Sequence, residues 1–194
     1  MHRRAGEHGH PKLFKKYKTA KDFADADVKE LEQLIRSTGF YHNKAKNIMG
    51  AAKMIVSDFK GKVPDTMEGL IKLPGVARKT ANIVLANAYG KVVGIAVDTH
   101  VGRLSQRLGF SKNSDPDKIE QDLLALFPKP KWYEINYLLI DHGRAICNAR
   151  KPRCGECQVK ALCPSAKLFL TKENKKAKPL KPGASSRAAL PTPG

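Results

Sequence analysis

The chain has 194 residues, enough for one or two small domains with a buried core, and its 41% hydrophobic content is adequate for a helical protein. Thirty-six Lys and Arg stand against 18 Asp and Glu, a net charge of +18 that favours a polyanionic partner, because each phosphate contact releases condensed counterions. No stretch approaches the roughly twenty apolar residues that span a bilayer, and Met1–Glu7 lacks the apolar run of a secretory signal. The expected setting is therefore a reducing, cytoplasmic one, nucleoid-associated and away from membranes, where four cysteines point to metal rather than to disulfides.

Residues 1–10 are rich in His, Arg and Gly, show no periodicity and read as disordered. From Pro11 to about Ser165 one helix follows another, so the expected fold class is all-α. Leu31, Leu34 and Ile35 fall on one helical face, with Gly39 as the C-terminal stop. Ala45, Ile48, Ala52, Ile55 and Val56 form the next stripe. Asp65-Thr66-Met67-Glu68, with Pro64 before it, has the form of a capping box. That helix stops at Leu73-Pro74-Gly75, and another runs from about Arg78 to Ala88. Val92–Val97 is β-branched enough for a strand, but it is short and has no partner run, so it reads as buried linker.

Asp98-Thr99 opens a helix that stops at Gly109, and Ser114-Asp115-Pro116 opens the next, with proline in the first turn. Ile135–Ala145 carries the last long apolar helix. Beyond Ala166 the chain is Lys- and Pro-rich, has Glu173 as its only acid, and holds too little apolar surface to fold by itself. The expected domains are an atypical N-terminus over 1–10, a helical lobe over 11–91 with a hairpin at about 65–89, a second lobe over 92–166, and a basic tail over 167–194.

Leu73-Pro74-Gly75-Val76-Ala77-Arg78-Lys79-Thr80-Ala81 is a helix stop followed at once by a helix start. Pro74 ends the first helix, and Gly75 permits a tight turn at positive φ. The second helix then directs its unsatisfied N–H groups at whatever lies beyond the turn, and a DNA phosphate would satisfy them without any reading of sequence. Gly75, Val76, Ala77, Arg78 and Thr80 are the candidate contacts. The pattern resembles the helix–hairpin–helix motif of DNA repair proteins, with one departure: Ala77 stands where the family usually has glycine, and a positive φ there would alter the turn.

Lys79 lies in the first turn of the second helix, beside Arg78, and both the macrodipole and that fixed positive charge disfavour its ammonium form. The neutral amine is the nucleophilic form; a phosphate-binding lysine is the plainer alternative. Val97-Asp98-Thr99-His100-Val101 places a carboxylate directly before a helix, after an apolar run that would bury it; an ordinary N-cap is its plainer alternative. Nineteen positions (98 − 79) separate the two, enough chain for them to meet across a groove.

Cys147-x6-Cys154-x2-Cys157-x5-Cys163 gathers four thiols within seventeen residues of a segment interrupted by Pro152 and Pro164, so that they can wrap one tetrahedral or cubane site. Arg144, Arg150, Lys151 and Arg153 surround them, with few acids until Glu156, a basic loop suited to phosphate contact or to solvation alone.

Leu-Pro-Gly-Val-x-Arg-Lys-Thr-Ala followed by Val-Asp-Thr-His-Val closely resembles the endonuclease III branch of the helix–hairpin–helix glycosylase superfamily, over about Pro11–Ala166. The resemblance implies a two-lobed all-α fold with a DNA groove. It implies a monomer acting on double-stranded DNA that contains damaged bases or abasic sites. Lys79 then attacks the sugar C1′, and Asp98 assists departure of the base. Cys147, Cys154, Cys157 and Cys163 hold a [4Fe–4S] cluster, the family's use of that spacing. Oxidised pyrimidines are the implied substrates. The family's usual N-terminal helices, one bearing a Ser-x-Gln-x-Thr-like segment, have no counterpart in residues 1–10. The implied alternative is a weakly active or non-catalytic DNA-binding protein.

Overall fold

Asp, Thr and Gly punctuate this chain at short intervals, and each punctuation mark cuts a helix. A computed structural model describes residues 11–170; the expected disorder over 1–10, and the tail beyond residue 170, lie outside them. Regular structure among the described residues is helical throughout. The α-helices are α1 (residues 11–16), α2 (Ala20–Ala24), α3 (Val28–Ile35), α4 (Tyr41–Asp58), α5 (Met67–Ile71), α6 (Arg78–Tyr89), α7 (Thr99–Leu108), α8 (Pro116–Leu126) and α9 (Trp132–Ala145).

The starts are made by caps. Thr19 and Asp22 exchange side-chain and backbone bonds in a full capping box at α2, while Asp27, Asp98 and Asp115 accept first-turn N–H groups of α3, α7 and α8. The expected box at Asp65 is displaced by one residue. Thr66 caps α5 by accepting from the Gly69 N–H, and Asp65 pairs with Lys91 instead. Gly109, at φ +79°, ends α7 as expected.

Side chains gather in three apolar clusters among the described residues. Leu13, Tyr17, Leu31, Ile35 and Ala45 form one, with α4 packed on α2 and α3. Leu70, Leu73, Ala81 and Leu85 form the second, inside the α5–α6 hairpin. Ile95, Val97, Val101, Leu104, Ile119, Leu123 and Leu139 form the third, joining the linker to α7, α8 and α9. On α4, Ala45 and Ala52 are buried, but Val56 lies at the edge of the stripe and is exposed.

Residues 92–97 form no strand. Ile95, Ala96 and Val97 are buried, and the Asn136 side chain on α9 donates to the Ala96 carbonyl at 2.7 Å, supplying the bond a strand neighbour would have made. The expected tail starts late: residues 166–170 are helical, and Phe169 lies 4.6 Å from the Arg107 guanidinium.

Leu104 is fully buried at the centre of the third cluster. Leu104→Ala should lower stability by about 2–5 kcal/mol through lost contacts and a residual cavity. The denaturant midpoint should fall at unchanged slope; an unmoved midpoint would show that this cluster does not carry the lobe.

Candidate active site and cysteine loop

The α5–α6 connection is a tight turn in which the Val76 N–H bonds to the Leu73 carbonyl at 3.1 Å. Gly75 has φ +76°, and a Cβ there would lie 2.7 Å from Asn47 Nδ2 and 2.8 Å from Asn47 Cβ. Both the backbone and the close approach of α4 therefore require glycine. Ala77 has φ −93° and ψ 172°, ordinary extended backbone, so alanine carries no strain and the alteration expected of the turn does not arise. No side chain caps α6. Gly75, Ala77, Lys79 and Thr80 are exposed, and Val76 and Arg78 half-buried.

Lys79 stands in the first turn of α6, and no hydrogen bond or ion pair holds its Nζ among the described residues. Asp98 is half-buried at the start of α7, where Oδ1 accepts from the His100 and Val101 N–H groups at 2.8 Å each. Both capping bonds fall on Oδ1, so Oδ2 takes no part in the cap. The two residues thus open consecutive helices on either side of the buried linker, without pairing to each other.

Arg78 faces inward. Its Nε donates to Glu120 Oε2 at 3.1 Å, with Asp117 Oδ1 at 3.9 Å, and the Glu120 hydrogen bond and charge raise its pKa. Sequence reasoning placed Arg78 among the phosphate contacts and had no signal for Glu120.

Phe40 was also missed. The residue is 88% exposed, and it sits at φ 49° and ψ 32° directly before α4, a left-handed conformation rare for a bulky residue. Gly39-Phe40 between two apolar stripes reads simply as a loop, so the sequence signal was weak.

The four cysteines surround one cavity at the end of α9, with Leu108, Ile146, Val159 and Ala166 on its walls. Among the described residues no three Cys, His, Asp or Glu close on a point as a single ion needs. Arg107 Nη1 donates to Cys147 Sγ at 3.3 Å and to the Asn148 carbonyl at 2.8 Å, while Nη2 donates to the Ala149 carbonyl at 2.8 Å. Cys163 Sγ donates to the Arg107 carbonyl at 3.3 Å, and Cys157 Sγ lies 3.6 Å from His142 Nε2. Arg103 donates to the Cys147 and Gly143 carbonyls, and burial pulls its pKa down. Four sulfurs around a largely apolar hollow, with a guanidinium on one of them, fit a polythiolate cluster of net negative charge. All four basic loop residues, Arg144, Arg150, Lys151 and Arg153, are exposed. Arg153 serves the loop itself, bonding the Ala145 carbonyl at 2.6 Å and Glu156 at 3.0 Å.

Comparison with known proteins adds the following. A family described as the HhH-GPD superfamily of base excision DNA repair proteins matches residues 5–129. An endonuclease III from Synechocystis sp. is 58% identical over 156 residues, covering 80% of this chain and 71% of that protein. A non-covalent endonuclease III–DNA complex superposes with a TM-score of 0.81 at 41% identity, over 84% of this chain and 77% of the other. A trapped endonuclease III–DNA covalent intermediate gives a TM-score of 0.82 at 41% identity, over 86% and 78%.

Gly75→Ala tests the turn. The left-handed φ alone costs about 1–2 kcal/mol, and displacement of Asn47 adds to it. The melting temperature should fall, and DNA affinity should weaken as the first turn of α6 is displaced. Unchanged melting and unchanged affinity would both contradict the geometry described.

Proposed function

The chain belongs to the endonuclease III family within the HhH-GPD superfamily of base excision DNA repair proteins, and on that premise we propose a DNA glycosylase that also cleaves the strand at abasic sites, with Lys79 as its nucleophile. The observation that carries the assignment is the placement of Lys79: exposed in an uncapped first turn of α6 and held by no partner among the described residues, with Asp98 capping the next helix. A phosphate-binding role for the same lysine leaves Asp98 without a purpose beyond its cap.

The substrate is double-stranded DNA carrying an oxidised pyrimidine or an abasic site. The damaged nucleotide must leave the stack, because C1′ is unreachable within it. Phe40 is suited to fill the space it leaves, as an exposed aromatic ring directly ahead of a helix. Lys79 Nζ then attacks C1′, the bond from C1′ to the base nitrogen breaks, and the base departs with a proton. Asp98 Oδ2 faces the positive charge that develops on the sugar. Opening of the ring gives an imine; loss of the C2′ proton expels the 3′-phosphate, and water releases the enzyme. The weakly active or non-catalytic alternative gains no specific observation.

Gly75, Val76, Ala77 and Thr80 contact phosphate through the turn and the open end of α6. Arg144, Arg150 and Lys151 add a second basic contact beside the cysteine loop. Cys147, Cys154, Cys157 and Cys163 would hold a [4Fe–4S] cluster, which there serves to order the loop.

Borohydride should trap wild-type protein on abasic DNA as an adduct that survives denaturing electrophoresis. Lys79→Gln should abolish adduct and nicking while binding persists. Asp98→Asn should slow base release on the order of a hundredfold and affect abasic-site cleavage less. An adduct in Lys79→Gln would assign the nucleophile elsewhere.

Anaerobically purified protein should hold about four iron atoms per chain and show broad visible thiolate-to-iron absorbance. Cys154→Ser should lose both, along with solubility. A colourless protein with one equivalent of zinc would replace the cluster by a structural zinc site.

A further inference from the structure

We propose that Glu120 is a positioning residue for the lysine chemistry: a buried carboxylate on α8 that clamps Arg78 and Asn82 and so fixes the first turn of α6, where Lys79 stands. The proposal rests on Lys79 as the nucleophile. Glu120 is only 2% exposed, between the core residues Ile119 and Leu123. Its two oxygens serve two partners: Oε2 accepts from Arg78 Nε at 3.1 Å, and Oε1 accepts from Asn82 Nδ2 at 2.7 Å. Arg78 and Asn82 are one turn apart on the same face of α6, with Lys79 between them in sequence. One carboxylate therefore grips the helix on both sides of the reactive amine.

A third segment closes on the same group. A Cβ at Gly94 would lie 2.2 Å from Glu120 Oε1 and 2.7 Å from Asn82 Oδ1, so the linker backbone presses directly on the clamp. Asn82 Oδ1 is buried and has no hydrogen-bond partner among the described residues. The amide is turned so that its N–H meets the carboxylate, and the orphaned oxygen is the consequence.

An ion pair with its carboxylate buried is a poor device for stability, since desolvation offsets its attraction. Its value is geometric. Ile119 and Leu123 pack with Val101 and Leu104 of α7, the helix that Asp98 opens. Glu120 thus connects the core beneath Asp98 to the turn bearing Lys79, and sets the position of one relative to the other. It also engages Arg78 through Nε, which gives that arginine a tethering role within the protein.

The test uses the full-length, cluster-loaded protein on abasic-site duplex. Borohydride trapping is followed in a single turnover at saturating protein, and binding, salt dependence, melting and iron content are measured separately. Glu120→Gln keeps the shape and removes the charge. It should slow trapping at saturation on the order of tenfold to a hundredfold, the penalty of a misplaced reacting group, with the dissociation constant unchanged. Arg78→Met should slow trapping similarly without changing the salt slope. The double variant should be no slower than Glu120→Gln alone, because either change opens the same clamp. Gly94→Ala should slow trapping with no change of charge, and Glu120→Asp should recover part of the rate lost in Glu120→Gln.

Wild-type trapping rates in folded, iron-loaded Glu120→Gln would overturn the proposal. So would weakened binding, a flatter salt slope and an additive double variant from Arg78→Met, which would make Arg78 a phosphate contact. Should Glu120→Gln fail to fold, Arg78→Met and Gly94→Ala decide, and wild-type rates in both overturn it. Lys79→Gln separates the two ideas. Trapping in that variant would sink the nucleophile assignment itself, whereas its loss beside an unaffected Glu120→Gln would sink the clamp alone.

Discussion

Between the last turn of α6 and the first turn of α7 the backbone crosses residues 91–98 with no ladder of its own to satisfy it. Burying Ile95, Ala96 and Val97 there is tolerable only because other elements supply what a sheet would have supplied. Asn136 on α9 donates to the Ala96 carbonyl, Gly94 presses against Glu120 and Asn82, and Asp98 turns the end of the linker into the cap of α7. The relative placement of the two helices that carry Lys79 and Asp98 follows from these anchors. A flexible linker of the same length would let those side chains drift relative to each other.

Part of the positive charge of the chain is engaged within the protein. Arg78 is bound to Glu120, Arg103 to the carbonyls of Gly143 and Cys147, Arg107 to the cysteine loop, and Arg153 to Ala145 and Glu156. Arg78, Arg103 and Arg107 join segments about forty residues apart in the chain, a role for which lysine is poorly suited. The lysines remain largely on the surface, where phosphate contact is a matter of charge density more than of geometry.

What the sequence disclosed divides along the same line. Caps at Asp98 and Asp115 and the stop at Gly109 depend on neighbours within a few residues, and they stand where expected. The α5 cap moved from Asp65 to Thr66 because both residue types cap well and only the partner Lys91, 26 positions away, distinguishes them. The cysteine spacing was legible because all four lie in one short loop. Glu120 was not, since its partners are 42 and 38 positions distant and a glutamate beside isoleucine in a helix has no distinctive pattern. Phe40 escaped for a different reason: its left-handed backbone is a property of the turn and not of the residue.

The helix α7 then joins the two chemically distinct parts of the second lobe. Asp98 caps its first turn, and Arg107, in its last turn, reaches Cys147 Sγ and the carbonyls of Asn148 and Ala149. Arg103, one turn earlier, holds the Cys147 carbonyl, and Gly143 lets it approach α9, because a Cβ there would lie 3.0 Å from the guanidinium. A ten-residue helix packed on α8 and α9 is stiff over this length. The cysteine loop is thereby joined through α7 to the carboxylate that caps its first turn, by backbone and arginine contacts. A loop that lost its four-cysteine arrangement would release both arginines from the far end of the helix that Asp98 caps.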